Sequence, residues 1–179
     1  MADESGGQSM KADPRFHACI IAGGSGERLW PMSRSGAPKH LLRLFSERTL
    51  LEETILRLKG VVADANVWII TGEAQVALIQ AAIPWFPREQ IVGEPAKRDT
   101  APAAALATGL VRARDPDGVV AILPADALIK DSARFGAQLS QALGWAGDAG
   151  KGGSSLLTFA VPASYPATGY GYLELGPEL

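Results

Sequence analysis

Residues 20–34, IIAGGSGERLWPMSR, set Gly23, Gly24, Ser25 and Gly26 directly behind an apolar run, with Arg28 and Arg34 following. Two familiar phosphate motifs do not fit this spacing. The glycines depart from G-x-G-x-x-G, no acidic residue closes a second strand in the right place, and no Gly-Lys-Ser/Thr follows. Two readings stay open. In one, glycine supplies positive φ for a plain turn between strand and helix. In the other, the main-chain N–H groups form a cradle for nucleotide phosphates, with nearby cations neutralising the charge.

The continuation, RLWPMSRSGAPKHLL, brings Arg28, Arg34 and Lys39 close together in an otherwise apolar segment. Arg34 reads equally as a solvated charge. Lys39 is more constrained, because Pro38 fixes the backbone before it and Leu41 and Leu42 bury the chain after it. Further along, PAD at 124–126 offers Asp126 immediately after another apolar run.

These residues need elements to hold them. FHACIIA (16–22), VWIIT (67–71) and VVAIL (119–123) are short, nearly continuous apolar runs, the pattern of strands buried on both faces. SLLTFAV (155–161) is a fourth, ended by Pro162. Helical patterns lie between them. TLLEETILRLKG (49–60) carries Leu50, Leu51, Thr54, Ile55 and Leu58 on one face and stops at Gly60. EAQVALIQAAI (73–83), DTAPAAALATGLVRAR (99–114) and SARFGAQLSQALGWA (132–146) follow, the second of these with an acid and a proline at its start and arginines at its end. AGDAGKGGSS (146–155) reads as a flexible surface loop. Alternating strands and helices predict a mostly parallel sheet with helices on both faces, a Rossmann-like three-layer α/β/α fold. Ligands in such sheets sit beyond the carboxyl ends of the strands. The glycine loop and PAD therefore share one rim.

The 179 residues make one domain, or one domain and a piece of another, and 47% hydrophobic content permits a sizeable core. A net charge of −2 with dispersed Lys and Arg lacks the footprint of a nucleic-acid binder. Cys19 stands alone in an apolar run, which excludes disulfides and thiolate metal sites and marks a buried core residue. Residues 1–15 read as a disordered polar tail before a domain at 16–179, with neither a secretory signal nor a membrane span. The expected setting is cytoplasmic.

The ordered blocks AGGSGERLWPMSR…PKHLL, GEPAKRDTAPAAALA (93–107), ILPADALI (122–129) and TFAVPASYPATGYGYLELG (158–176) resemble the sugar-nucleotide pyrophosphorylases, specifically the bacterial mannose-1-phosphate guanylyltransferases. The likeness runs from about Phe16 to Gly176, and Trp30–Pro31 with APAAALA favours the mannose/GTP branch. It implies that GTP and mannose 1-phosphate yield GDP-mannose and pyrophosphate, by in-line transfer that depends on positioning and charge neutralisation. It also implies roles. Ala22, Gly23, Gly24, Ser25 and Gly26 would cradle the triphosphate. Arg28 would hold the departing pyrophosphate and Lys39 the α-phosphate. Asp126 would bind Mg²⁺, against its plainer reading as a turn aspartate. Glu94 would pair with guanine, Thr100 and Ala101 would face the nucleoside, and Gly169 and Gly171 would let the chain approach the sugar. Tyr170 and Tyr172 read as packing.

The chain also departs from that pattern. Asp99 stands where asparagine is usual and could cap a helix. Ala127 replaces a histidine, Ala167 a glutamate and His40 a glutamine. The family continues well beyond residue 179, so the chain reads as truncated at its C-terminal side. The segment 170–175 reads as a strand lacking downstream partners, an edge that makes a homodimer plausible. Such a form would bind nucleotide better than it turns over. The competing readings are a non-catalytic nucleotide-binding or regulatory module on the same fold, and a pyrophosphorylase for another sugar or base.

Overall fold

The apolar runs become parallel strands whose alternate residues feed two separate helical layers. The computed structural model describes residues 12–24, 29–34, 36–96, 98–149 and 156–176. Four strands, β1 (Phe16–Ile21), β2 (Val67–Gly72), β3 (Ile91–Glu94) and β4 (Val119–Pro124), pair in the order β3-β2-β1-β4, all parallel. Four helices accompany them: α1 (Leu50–Arg57), α2 (Val76–Ala82), α3 (Thr100–Arg114) and α4 (Ser132–Ala149).

On one face Phe16, Ala18, Ile20, Val67 and Ile69 pack with Leu51 and Ile55 of α1, Val76 and Ile79 of α2, and Leu139 and Leu143 of α4. The opposite face presents Cys19, Trp68 and Ile70 to Ala103, Ala107 and Val111 of α3. The period of two in the strands and the four-residue spacing in α3 thus produce the α/β/α layering expected from the sequence. Each fully buried Ile contributes roughly 1.5–3 kcal/mol. Burial pushes the Cys19 thiol up to about 12, as befits a core residue.

Local signals set the ends of α1. The Thr49 hydroxyl accepts from the Glu52 N–H while the Glu52 carboxylate accepts from the Thr49 N–H, a reciprocal capping box. Gly60, at φ +82°, closes the turn after the helix.

Several expectations change. β3 was hidden in the sequence because four residues interrupted by Gly93 make little pattern. β4 is a strand but lies at the sheet's end, so Ile122 is 39% exposed rather than buried on both faces. The strand expected at 155–161 is absent from its described residues 156–161, as is the strand expected at 170–175. Neither segment pairs with a strand of the sheet, so neither has a backbone ladder, and Val161 is 88% exposed. Helix α4 extends to Ala149, taking the start of the expected loop, whose residues 150–155 lie outside the described residues. Of the expected tail, residues 1–11 also lie outside them. Asp13 and Arg15 instead form a turn, with the Phe16 N–H donating to the Asp13 carbonyl at 3.0 Å. Among the described residues no helix is long and apolar enough to cross a membrane.

Candidate nucleotide site

A cavity of about 300 Å³ opens at the carboxyl-terminal rim of β1 and β4. Ala22, Gly23 and Gly24 line it from the end of β1, Pro124, Ala125 and Asp126 from the end of β4. Lys39, His40 and Thr100 also line it, with Ile21, Ile122 and Leu123 of the strands. The two chain ends are stitched together where the Ala125 N–H donates to the Ile21 carbonyl at 3.1 Å. The shared rim inferred from topology is thus a physical cavity, at the low end of the usual size for ligand sites.

Lys39 enters from a single 3-10 turn, Lys39–Leu41, that follows Pro38. Reciprocal backbone hydrogen bonds between Arg34 and Ala37 and the Leu41 N–H to Pro38 carbonyl bond (2.9 Å) brace that turn. Leu41 packs against the main core. The Lys39 ammonium forms an ion pair with the Asp126 carboxylate, each side chain about 30% exposed. Its stem lies over Gly24, where an added Cβ would come within 2.9 Å of Lys39 Cε. Arg34 is exposed.

β3 supplies none of the cavity's described lining residues but approaches the glycine loop. Glu94, its last residue, is buried and directs its carboxylate at the glycine loop, 3.5 Å from where a Gly23 Cβ would stand. Thr100 and Ala101 form the first turn of α3, Thr100 on the cavity and Ala101 exposed beside it. Asp99 precedes them at φ 62°, ψ −160°, and its side chain makes no cap hydrogen bond. The capping role expected of Asp99 is not realised. A capping residue holds extended backbone, which carries its oxygen over the helix amides, and positive φ does not. This backbone region costs ~1–3 kcal/mol for a residue other than glycine.

A magnesium ion fits the donor set. Asp126 is the one carboxylate among the described lining residues, and magnesium takes one or two carboxylates and fills its remaining positions with water and phosphate oxygens. No group of three metal-ligating side chains occurs among the described residues, so any such ion would depend on its nucleotide.

Ser25 and Gly26, expected in the cradle, and Arg28, expected on the departing pyrophosphate, lie outside the described residues. Gly169 and Gly171 are exposed and not among the cavity's lining residues. Their neighbours Tyr170 and Tyr172, with Tyr165, instead border a second hollow lined by residues 163–168, 170 and 172.

The sequence pattern of the nucleotidyl transferase family matches residues 17–179. The chain belongs to that family. It is 38% identical over 169 residues to a mannose-1-phosphate guanylyltransferase of Escherichia coli K12, covering 92% of this chain and 34% of the relative. An alginate biosynthesis protein of Pseudomonas aeruginosa is 39% identical over 160 residues, covering 89% of this chain and 32% of its own length. A Thermus thermophilus crystal structure, described as a mannose-1-phosphate geranyltransferase, superposes with a TM-score of 0.64 at 34% identity, covering 74% of this chain and 38% of that one. The chain spans about a third of the length of the curated relatives it matches.

Within this nucleotidyl transferase chain, two residues at the site have surroundings that the sequence did not assign. His40 is fully buried, and neither ring nitrogen has a hydrogen-bond partner among the described residues. Burial pushes its imidazole down to about 4, with Asp126 opposing the shift and Lys39 adding to it. Arg57, at the end of α1, donates to the Ala127 carbonyl at 3.1 Å, steadying the chain just beyond Asp126. Its helical spacing, three residues after Thr54 and seven after Leu50, puts it at the edge of the buried face. Phe135 packs there, 5.6 Å from the guanidinium.

Proposed function

We propose that this chain is the nucleotide-binding portion of a mannose-1-phosphate guanylyltransferase, joining the guanylyl group of GTP to mannose 1-phosphate. The reading is carried by one convergence. Glycine backbone, a lysine and an aspartate meet in a single cavity at the strand ends.

In this reading the amides of Gly23 and Gly24, continued by Ser25 and Gly26, hold phosphate oxygens beside Ala22. Lys39 leaves Asp126 and follows the α-phosphate as its charge grows. Arg28 takes the pyrophosphate end. Asp126 would hold Mg²⁺, which when bound would supply further neutralisation of the phosphates. Glu94 accepts from the guanine ring N–H and amino group, a donor pair that adenine lacks. The uncapped first turn of α3 presents Thr100 and Ala101 to the nucleoside. A sugar-phosphate oxygen attacks the α-phosphorus, the bond to the bridging oxygen breaks, and pyrophosphate leaves with that electron pair. Gly169 and Gly171 belong to the sugar side.

Pyrophosphate release from GTP tests the reading, measured with mannose 1-phosphate and then glucose 1-phosphate. Release with the first sugar above the second supports it. GTP binding with no release for either sugar phosphate contradicts transfer by this chain.

A further inference from the structure

β2 ends on Thr71 and Gly72, and Thr71 is fully buried. Its hydroxyl donates to the carbonyl of Ala22 at 2.8 Å, across 49 residues of sequence, and lies 3.2 Å from Gln75 Oε1. A hydroxyl has one proton, so the shorter contact claims it. The Ala22 N–H is held from the same side, donating to the Ile70 carbonyl at 2.7 Å. Both backbone polar groups of Ala22 are thus tied to β2.

That tie dictates the next amide. The peptide joining Ala22 to Gly23 is planar and trans, so the Gly23 N–H points opposite to the Ala22 carbonyl. Opposite to β2 lies β4, the far neighbour of β1 in the sheet. There the Ala125 N–H meets the Ile21 carbonyl, and there Asp126 lines the cavity. A freed Ala22 carbonyl would let this peptide rotate and carry the Gly23 amide with it.

We propose that Thr71 is a positioning residue of the phosphate site, its hydroxyl turning the Gly23 N–H toward the cavity to meet a phosphate oxygen of the nucleotide. The inference rests on the nucleotide reading given above. A purely structural Thr71 would merely satisfy a buried carbonyl, and its variants would then rank by stability alone.

The test uses the whole chain as wild type, Thr71→Val and Thr71→Ser. Valine keeps the volume and removes the hydroxyl, while serine keeps the hydroxyl and removes a methyl. Binding of Mg²⁺–GTP and of guanosine is measured beside thermal melting. Thr71→Val should weaken Mg²⁺–GTP ~10-fold and leave guanosine within about 2-fold, since the amide faces phosphate. Thr71→Ser should bind Mg²⁺–GTP within about 2-fold of wild type even where it melts lower. The inference is overturned by undiminished GTP binding in Thr71→Val, by an equal loss for guanosine, or by equal impairment in Thr71→Ser. Should the valine variant not fold, the wild-type Gly23 amide decides: its proton exchange should slow on saturation with GTP, and unchanged exchange overturns the inference. If wild type fails to bind GTP, the nucleotide reading falls and this inference with it. If wild type binds and Thr71→Val matches it, only the inference falls.

Discussion

Lys39 and Asp126, 87 residues apart in sequence, neutralise one another in the cavity at the end of β1. The two groups assigned to phosphate and to metal therefore hold each other in the free chain. A metal–triphosphate complex brings one opposite charge for each, so binding exchanges one ion pair for two.

Loss of either partner should separate function from stability. A pair this exposed is worth ~0–1 kcal/mol, so Lys39→Ala and Asp126→Ala should melt within a few degrees of wild type. Pyrophosphate release should fall at least ~100-fold in both. Unchanged turnover in either variant removes that residue from the mechanism.

Base choice should depend on Glu94. With the carboxylate replaced by an amide, one of its two acceptor positions becomes a donor facing a donor. Glu94→Gln should erode the preference for GTP over ATP by ~10-fold or more. Competition binding with the two nucleotides reads this directly, and an unaltered ratio places base reading elsewhere.

His40 should make the fold sensitive to acid. The folded chain keeps this imidazole neutral down to about 4, whereas an unfolded histidine takes its proton near 6.5. Between those values the unfolded chain binds more protons. Stability therefore falls as pH drops through that window, by on the order of 3 kcal/mol. Lys39 and Asp126 are the charges that act on it. His40→Leu should remove this dependence and, by deleting an orphaned buried N–H, raise the melting temperature by several degrees at neutral pH. Identical pH profiles for variant and wild type would contradict the assignment.

Thr49 supplies a contrast from the fold alone. Thr49→Ala breaks the capping box and should cost about 1 kcal/mol, lowering the melting temperature by ~2–4 °C. Because the cap lies outside the cavity's lining, affinity for Mg²⁺–GTP should not change. A parallel loss of affinity would show that α1 and the Lys39 turn are coupled.

How much of this could be read in the chain depended on the range of the interactions. β1 and β2 announced themselves as unbroken apolar runs, and α1 by its apolar face and the glycine after it, because those signals are local. From parallel topology alone the glycine loop and Asp126 could be assigned to one rim. The edge position of β4 had no local signature, since Ile122 looks the same in a central or a terminal strand. SLLTFAV has the composition of a strand, but a strand exists only where a neighbour completes its ladder. The Lys39–Asp126 pair, the Arg57 hydrogen bond to Ala127 and the Thr71 hydroxyl on Ala22 each span 49 residues or more. Nothing at either end marks its partner. His40 is the reverse case, a polar residue whose burial follows from Pro38 before it and Leu41 after it, yet whose missing partners emerge only in three dimensions.

A crystal structure of the chain with GTP and Mg²⁺ tests the central claim most directly. The account predicts phosphate oxygens on the Gly23 and Gly24 amides, Lys39 drawn away onto phosphate, and Asp126 on the metal. Electron density showing the nucleotide elsewhere, with Lys39 still paired to Asp126, would contradict it.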